Sequence, residues 1–351
     1  MRIGVPRERK VLEGRVGLVP DACAELVRDG HAVYLERGAG VLSGFDDAAY
    51  RDVGAQIAAD ASVLYRSAEL IVKVKEPTEP DLSLLRPEHR LFCYLHLAAN
   101  AELAERLCRI GLTAVAFETV EAHGGLPLLA PMSEIAGRLA VQIGTQLLHH
   151  PQGGKGVLLG GLPGVERGRV VILGAGVAGG SAAAAAAALG AEVTVFDRVP
   201  DKLARMRALG ANVNALYAYG GAVRQAVTGA DLLIGAVLVT GRRAPHVVDA
   251  ATVGAMASGS VVMDISVDQG GCIETTRATD YENPTYLWEG IVHFAVTNMP
   301  GAVPRSASQA LSAALIPYVR AIAREDWETD PVLRAGVNVQ RGVLVHPALI
   351  D

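Results

Sequence analysis

Residues 169–197, RVVILGAGVAGGSAAAAAAALGAEVTVFD, constrain the fold of this chain more than any other stretch. An apolar run leads into Gly174, Gly176 and Gly179, spaced G-x-G-x-x-G. An alanine-rich helical pattern follows, then a second apolar run that closes on Asp197. Each part has a physical reason. Gly174 permits a tight turn. Gly176 removes a side chain from the path of a pyrophosphate. Gly179 lets the helix lie close to the strand. The helix amino terminus then turns unsatisfied N–H groups and a positive dipole end toward phosphate. The stretch therefore predicts a βαβ unit that binds a dinucleotide.

Asp197 lies about 18 residues beyond Gly179, near the position that bonds the adenosine ribose hydroxyls. An acid there favours NAD, because a 2′-phosphate would meet a negative charge. Arg198 follows at once and leaves NADP open, since an arginine at this point can receive that phosphate. Lys202 reads either as a contact to the adenosine end or as an exposed helix lysine. The span from Val171 to Ala191 carries no charge and is long enough to cross a bilayer. Its apolar character comes from Gly and Ala, however, and it splits into strand, turn and helix, so no membrane span is expected.

The rest of the chain repeats this grammar. RIGVP, HAVYLE, ELIVKVKEP, HRLFCYLHLA and TAVAFETV read as strands separated by helical patterns in the first third. RVVILGAG, AEVTVFD, NVNALY, DLLIGAVL and SVVMDISVD read as a second series. Such alternation predicts open α/β sheets. In PMSEIAGRLAVQIGTQLLHH, Ser133 reads as an N-cap, and Ile135, Leu139, Ile143 and Leu147 share one helical face. Ser306 to Glu325 reads as another long helix, bent at Pro317.

The length of 351 residues suits two domains. With a net charge of −5 and no basic stripe, a nucleic-acid partner is not expected. Cys23, Cys93, Cys108 and Cys272 form no C-x-x-C pair or Cys/His cluster, so neither a metal site nor a disulfide framework is expected. The start MRIGVPRERK is charged and lacks an apolar h-region, which argues against a secretory signal and for a cytoplasmic protein.

Oxidation of an amino acid requires a cation for the carboxylate, a proton acceptor and a polarising group. Lys75 ends the strand ELIVKVK, which Pro77 stops, and that favours a place at the sheet mouth. Asp268 precedes Gln269, Gly270 and Gly271, a turn at a strand's carboxyl end. Asn298 lies between a short apolar run and a proline-rich turn, and Arg15 lies in an early loop. Taken singly, Arg15 and Lys75 would most often be surface charges, and His96 a core histidine.

Taken together, GVPRERKVLEGRVGLVP, KVKEP, YLHLA, APMSEIAGRLA, QGGKGVLLGGLPGV, IGAVLVTGRRAP, DQGG and NMPGAVP resemble the alanine dehydrogenase and transhydrogenase α-subunit family over nearly the whole chain. The resemblance implies two Rossmann-like α/β domains. An NAD domain, 131–302, is inserted into a substrate domain built from 1–130 and 303–351. It implies that Arg15 and Lys75 hold the substrate carboxylate and carbonyl, that His96 is the acid/base, and that Asp268 assists water or proton handling. Tyr94, Met132, Ser133 and Asn298 match positions that line the pocket. Val177, Ala178, Leu238, Val239, Val267 and Met299, together with Ser133, Asp268 and Asn298, match cofactor contacts. The implied reaction is NAD-dependent oxidative deamination of L-alanine to pyruvate and ammonia, usually by a homohexamer. A dehydrogenase for a different small amino acid, or a transhydrogenase α-subunit-like NAD(H)-binding protein, is the alternative.

Overall fold

The computed structural model describes residues 1–238 and 244–350. The chain divides into two compact units, Met1–Met132 with Gly301–Asp351, and Ser133–Pro300. The second is therefore inserted into the sequence of the first.

Six strands come first: β1 (Arg2–Val5), β2 (Ala32–Glu36), β3 (Gln56–Ala58), β4 (Leu70–Val72), β5 (Arg90–Cys93) and β6 (Thr113–Ala116). The inserted unit contributes β7 (Arg169–Leu173), β8 (Glu192–Asp197), β9 (Val213–Tyr217), β10 (Leu232–Gly235), β11 (Val261–Asp264), β12 (Thr285–Trp288) and β13 (Ile291–Phe294). The chain then returns with β14 (Val337–Gln340) and β15 (Val343–Leu344).

Among the described residues, the first unit carries an eight-stranded sheet ordered β15-β14-β6-β5-β4-β1-β2-β3. The second carries a seven-stranded sheet ordered β12-β13-β11-β10-β7-β8-β9. Both are doubly wound, with chain reversal beside their first strand, between β1 and β4 and between β7 and β10. Parallel α/β sheets place ligands at the carboxyl ends beside such a reversal. The central strands are apolar throughout, as burial on both faces requires. LIV in β4 and LLIG in β10 are wholly buried. Leu64, Tyr65, Leu91 and Leu95 belong to one core, and Leu173, Phe196, Leu233 and Val262 to another.

Several sequence expectations change. The strands stop sooner than their apolar runs: β4 ends at Val72, so Lys75 lies beyond it rather than closing it. β3 carries no strong apolar alternation and goes unread in the sequence. Two antiparallel hairpins, β12–β13 and β14–β15, also go unread. Their turns hold Glu289 and Gly290, and Arg341 and Gly342, at positive φ. Such turns favour Asn-Gly or Asp-Gly, and Glu-Gly and Arg-Gly give only half that signal.

Ser133 is not an N-cap: its helix, Ala130–Leu147, begins three residues earlier in the sequence. Pro131 suits that first turn, where a missing N–H is harmless. Nor is the expected Ile135–Leu139–Ile143–Leu147 face the most buried one. Met132, Ala136, Ala140, Gly144 and Leu148 are buried, while Ile135, Ile143 and Leu147 are half-buried. A β-carbon on Gly137 would stand 2.1 Å from the Ala178 carbonyl oxygen, so small residues set that helix approach. The last long helix, Pro304–Ile322, runs through Pro317. Among the described residues, no helix is long and apolar enough to cross a membrane. The span Val171–Ala191 resolves into β7, the glycine turn and the helix Val177–Ala188.

Candidate active site

In the first unit, Arg15, Lys75, Tyr94 and His96 lie in the segments that follow β1, β4 and β5. Arg15 is buried, with 2% of its surface exposed. Glu13 accepts from its Nε at 2.7 Å and from its Nη2 at 2.5 Å, and Nη1 lies 3.2 Å from the Met132 sulfur. Burial works against the Arg15 charge, but hydrogen bonds and attraction from Glu13 overcome it, so the guanidinium is held above its ordinary value.

Tyr94 follows β5 and is buried, and its hydroxyl donates to the Leu128 carbonyl at 2.6 Å. Burial pushes its ionisation upward and the neighbouring Arg15 works against that. The His96 ring stacks on Tyr94, with centroids 5.9 Å apart and planes 9° from parallel. His96 is exposed and adopts a left-handed backbone, φ 51° and ψ 37°. It therefore does not occupy the core place that a lone apolar-flanked histidine most often takes.

Lys75 is half-buried and follows Val74, which is tied down on both sides. Glu8 accepts the Val74 N–H at 2.7 Å, and the Val74 carbonyl accepts the Tyr94 N–H at 3.0 Å. Beneath this strand end lies an ionic group the sequence does not announce. Lys73 is buried between Glu8 at 3.5 Å and Asp81 at 3.3 Å, and Tyr65 donates to Asp81 at 3.0 Å. Alternating Lys73 and Lys75 read alike in sequence; only the fold separates a core cation from a mouth cation. The Glu76 carboxylate pairs with Lys10 and feels the His96 charge.

The second unit carries the other expected residues. Gly174 has φ 98°, and a β-carbon there would lie 2.5 Å from the Ala236 carbonyl oxygen. A β-carbon on Gly179 would lie 1.8 Å from the Gly174 carbonyl oxygen, whereas one on Gly176 meets nothing within 4 Å. Gly174 and Gly179 thus serve the turn and its packing, and the open face at Gly176 fits a pyrophosphate. Gly176 caps the helix Val177–Ala188, with Val177 exposed and Ala178 half-buried. Asp197 is half-buried at the end of β8, and its carboxylate accepts the N–H of Ala175 at 2.7 Å, of Arg198 at 2.7 Å and of Val199 at 2.9 Å. It braces the glycine turn as well as closing the strand. Arg198 is exposed and Lys202 half-buried. Together these residues fit a dinucleotide.

Asp268 is exposed and sits in a helical turn, Ile265–Gln269, after β11, with half-buried Val267 before it. Buried Asp264 organises that turn, accepting the N–H of Ser266 at 2.9 Å and of Cys272 at 2.9 Å. In sequence, Asp264 shows only as an acid closing an apolar run. Asn298 has a left-handed φ of 61°, and the buried Met299 accepts the Tyr281 hydroxyl at 2.8 Å through its carbonyl. Ser133 is half-buried in the long helix, and Leu238 is exposed beyond β10. Val239 lies outside the described residues. All four cysteines are free, and among the described residues no His, Cys, Asp and Glu group forms a metal site.

The amino-terminal domain of the alanine dehydrogenase/PNT family matches residues 4–136, and its carboxyl-terminal domain matches residues 140–347. An alanine dehydrogenase of Bacillus subtilis is 46% identical over 99% of this chain and 94% of its own length. One of Mycobacterium tuberculosis is 44% identical over 98% and 95%. Among solved structures, an L-alanine dehydrogenase superposes with a TM-score of 0.96 at 51% identity, covering 99% of this chain and 98% of its own. A transhydrogenase from Sinorhizobium meliloti gives 0.87 at 25% identity, covering 99% and 100%.

Proposed function

The chain belongs to the alanine dehydrogenase/PNT family, and from that membership we propose that it catalyses NAD-dependent oxidative deamination of L-alanine to pyruvate and ammonia, and the reverse reductive amination. The observation that carries the reading is the grouping of buried Arg15, stacked Tyr94 and exposed His96 at one sheet mouth.

In this reading Arg15 and Lys75 bind the carboxylate and carbonyl of the substrate. A planar guanidinium already fixed by Glu13 binds a carboxylate with little further ordering. Tyr94 and Met132 wall the same place. His96 takes the proton that the substrate amine loses as the C–N double bond forms. It then serves water addition and the release of ammonia. Asp268 assists that water and proton handling, and Asn298 lines the pocket.

Gly174, Gly176, Val177, Ala178 and Gly179 hold the pyrophosphate of NAD, and Asp197 the adenosine ribose, with Arg198 and Lys202 at the adenosine end. Ser133, Leu238, Val239, Val267, Asp268, Asn298 and Met299 complete the cofactor contacts. When bound, NAD⁺ accepts the hydride that leaves Cα, and NADH returns it in reverse. We extend the reading to a homohexamer working in the cytoplasm, on the likeness to the family.

The test is to supply the purified chain with NADH, ammonium and a panel of 2-oxo acids, and to follow NADH absorbance. Pyruvate is expected to consume NADH faster than its larger homologues. NADH binding without turnover over the whole panel would overturn the proposal.

A further inference from the structure

We propose that Glu118 is a positioning residue for His96, acting through the backbone of the turn that carries it; this rests on the acid/base reading of His96 above. β5 and β6 are parallel neighbours, with Cys93 opposite Ala116. The turns that leave them therefore start side by side. Two residues past β6, Glu118 meets Leu95 and His96, which follow β5.

One Glu118 oxygen accepts the His96 N–H at 2.6 Å and the Leu95 N–H at 3.1 Å, and its other oxygen accepts the Leu95 N–H at 3.3 Å. Consecutive N–H groups pointing one way form an anion-gripping concavity, and a left-handed residue is what bends the chain into it. His96 is that residue, with φ 51°. A β-carbon disfavours this conformation, so an outside contact must hold it.

Histidines used in proton transfer are ordinarily oriented through a ring nitrogen by a carboxylate or carbonyl. Among the described residues, the His96 ring nitrogens make no hydrogen bond; its ring stacks on Tyr94 and lies within electrostatic reach of the Glu76 carboxylate. Beyond that stacking, orientation comes from its own backbone, and Glu118 holds that backbone. Glu118 is itself secured. It lies in a turn, Phe117–Thr119, where the Thr119 hydroxyl donates to the Gly336 carbonyl at 3.0 Å and the Asn338 amide donates to Thr119 at 2.8 Å. The Phe117 ring meets Tyr94 edge-on, with centroids 5.0 Å apart. His346, on the returning chain, and Cys93 and Tyr94, around the end of β5, are titratable neighbours that feel the Glu118 charge.

The test compares Glu118→Leu, which removes both acceptors, with Glu118→Gln, which keeps an acceptor oxygen. Reductive amination of pyruvate is measured as kcat and KM per NADH-binding site, with NADH affinity read by fluorescence. Glu118→Leu is expected to lower kcat at least tenfold, with KM for pyruvate and NADH affinity within threefold. Glu118→Gln is expected to keep kcat within threefold. A merely structural role would reduce the number of NADH-binding sites and leave kcat per site unchanged; a loss under threefold in Glu118→Leu overturns the proposal. Should that variant not fold, Glu118→Gln decides, and a tenfold fall there overturns it. An unsubstituted chain that binds NADH but is inert toward pyruvate would end the amino-acid reading and this inference with it.

Discussion

The carbonyl oxygen of Gly174 occupies the space that a side chain on Gly179 would need, 1.8 Å from its ideal β-carbon. At Gly176, three residues before Gly179, a β-carbon meets nothing within 4 Å, and φ is −72°. The two glycines thus answer to different demands.

That difference makes a paired prediction. Gly179→Ala should cost about 1–3 kcal/mol of stability, because backbone atoms must shift to admit the methyl group. Gly176→Ala should leave thermal unfolding unchanged and weaken NADH binding at least tenfold. Unfolding curves and NADH fluorescence titrations of both variants check this. A Gly176→Ala protein with parental NADH affinity would detach that position from the pyrophosphate.

His96→Ala should lower turnover about a hundred- to ten-thousand-fold, the usual contribution of a positioned acid/base. NADH affinity should stay parental, since the residue belongs to the first unit and the glycine turn to the second. NADH consumption with pyruvate and ammonium measures the first quantity and fluorescence the second. Turnover within threefold of the parent would remove His96 from the chemistry.

Glu13 and Arg15 form an ion pair with side chains 0% and 2% exposed. Glu13→Ala removes the buried carboxylate that Arg15 donates to and should destabilise the protein by about 3–5 kcal/mol. It should also raise KM for pyruvate, because the guanidinium loses the carboxylate that orients it. Urea unfolding and pyruvate saturation curves test the two halves separately.

Asp81 supplies a pH signature. Burial raises its pKa, but Lys73, the Thr78 N–H and hydroxyl and the Tyr65 hydroxyl outweigh burial and hold it below the ordinary 3.8. A depressed carboxyl adds stability above the unfolded value, and that stability is lost as pH falls through the folded value. Stability should therefore drop in acid below about pH 4, and Asp81→Asn should flatten that limb. The same change should cost about 3–5 kcal/mol near neutrality by leaving buried Lys73 with one carboxylate in place of two. Denaturant midpoints from pH 2 to 8 test both, and an unflattened acid limb would assign the drop to other groups.

Local pattern carries much of this protein. The glycine spacing, the apolar strand before it and Asp197 after it are a contiguous arrangement whose backbone demands can be read residue by residue. The alternation of apolar runs and helical segments likewise announces open α/β sheets, since strands buried on both faces must be apolar. The weak points are places where local signal is thin: β3, and hairpins whose turns are Glu-Gly and Arg-Gly rather than Asn-Gly.

What only the tertiary structure decides is which like residues differ in fate. Lys73 and Lys75 share one run, yet burial against Glu8 and Asp81 makes the first a core cation, while the second is only half-buried. Glu8 and Glu118 act by accepting N–H groups from segments that the fold brings to them, Val74 for the first and Leu95 and His96 for the second. Their partners are set by strand order and register, not by neighbouring letters, so a carboxylate's task stays hidden until the sheet is assembled.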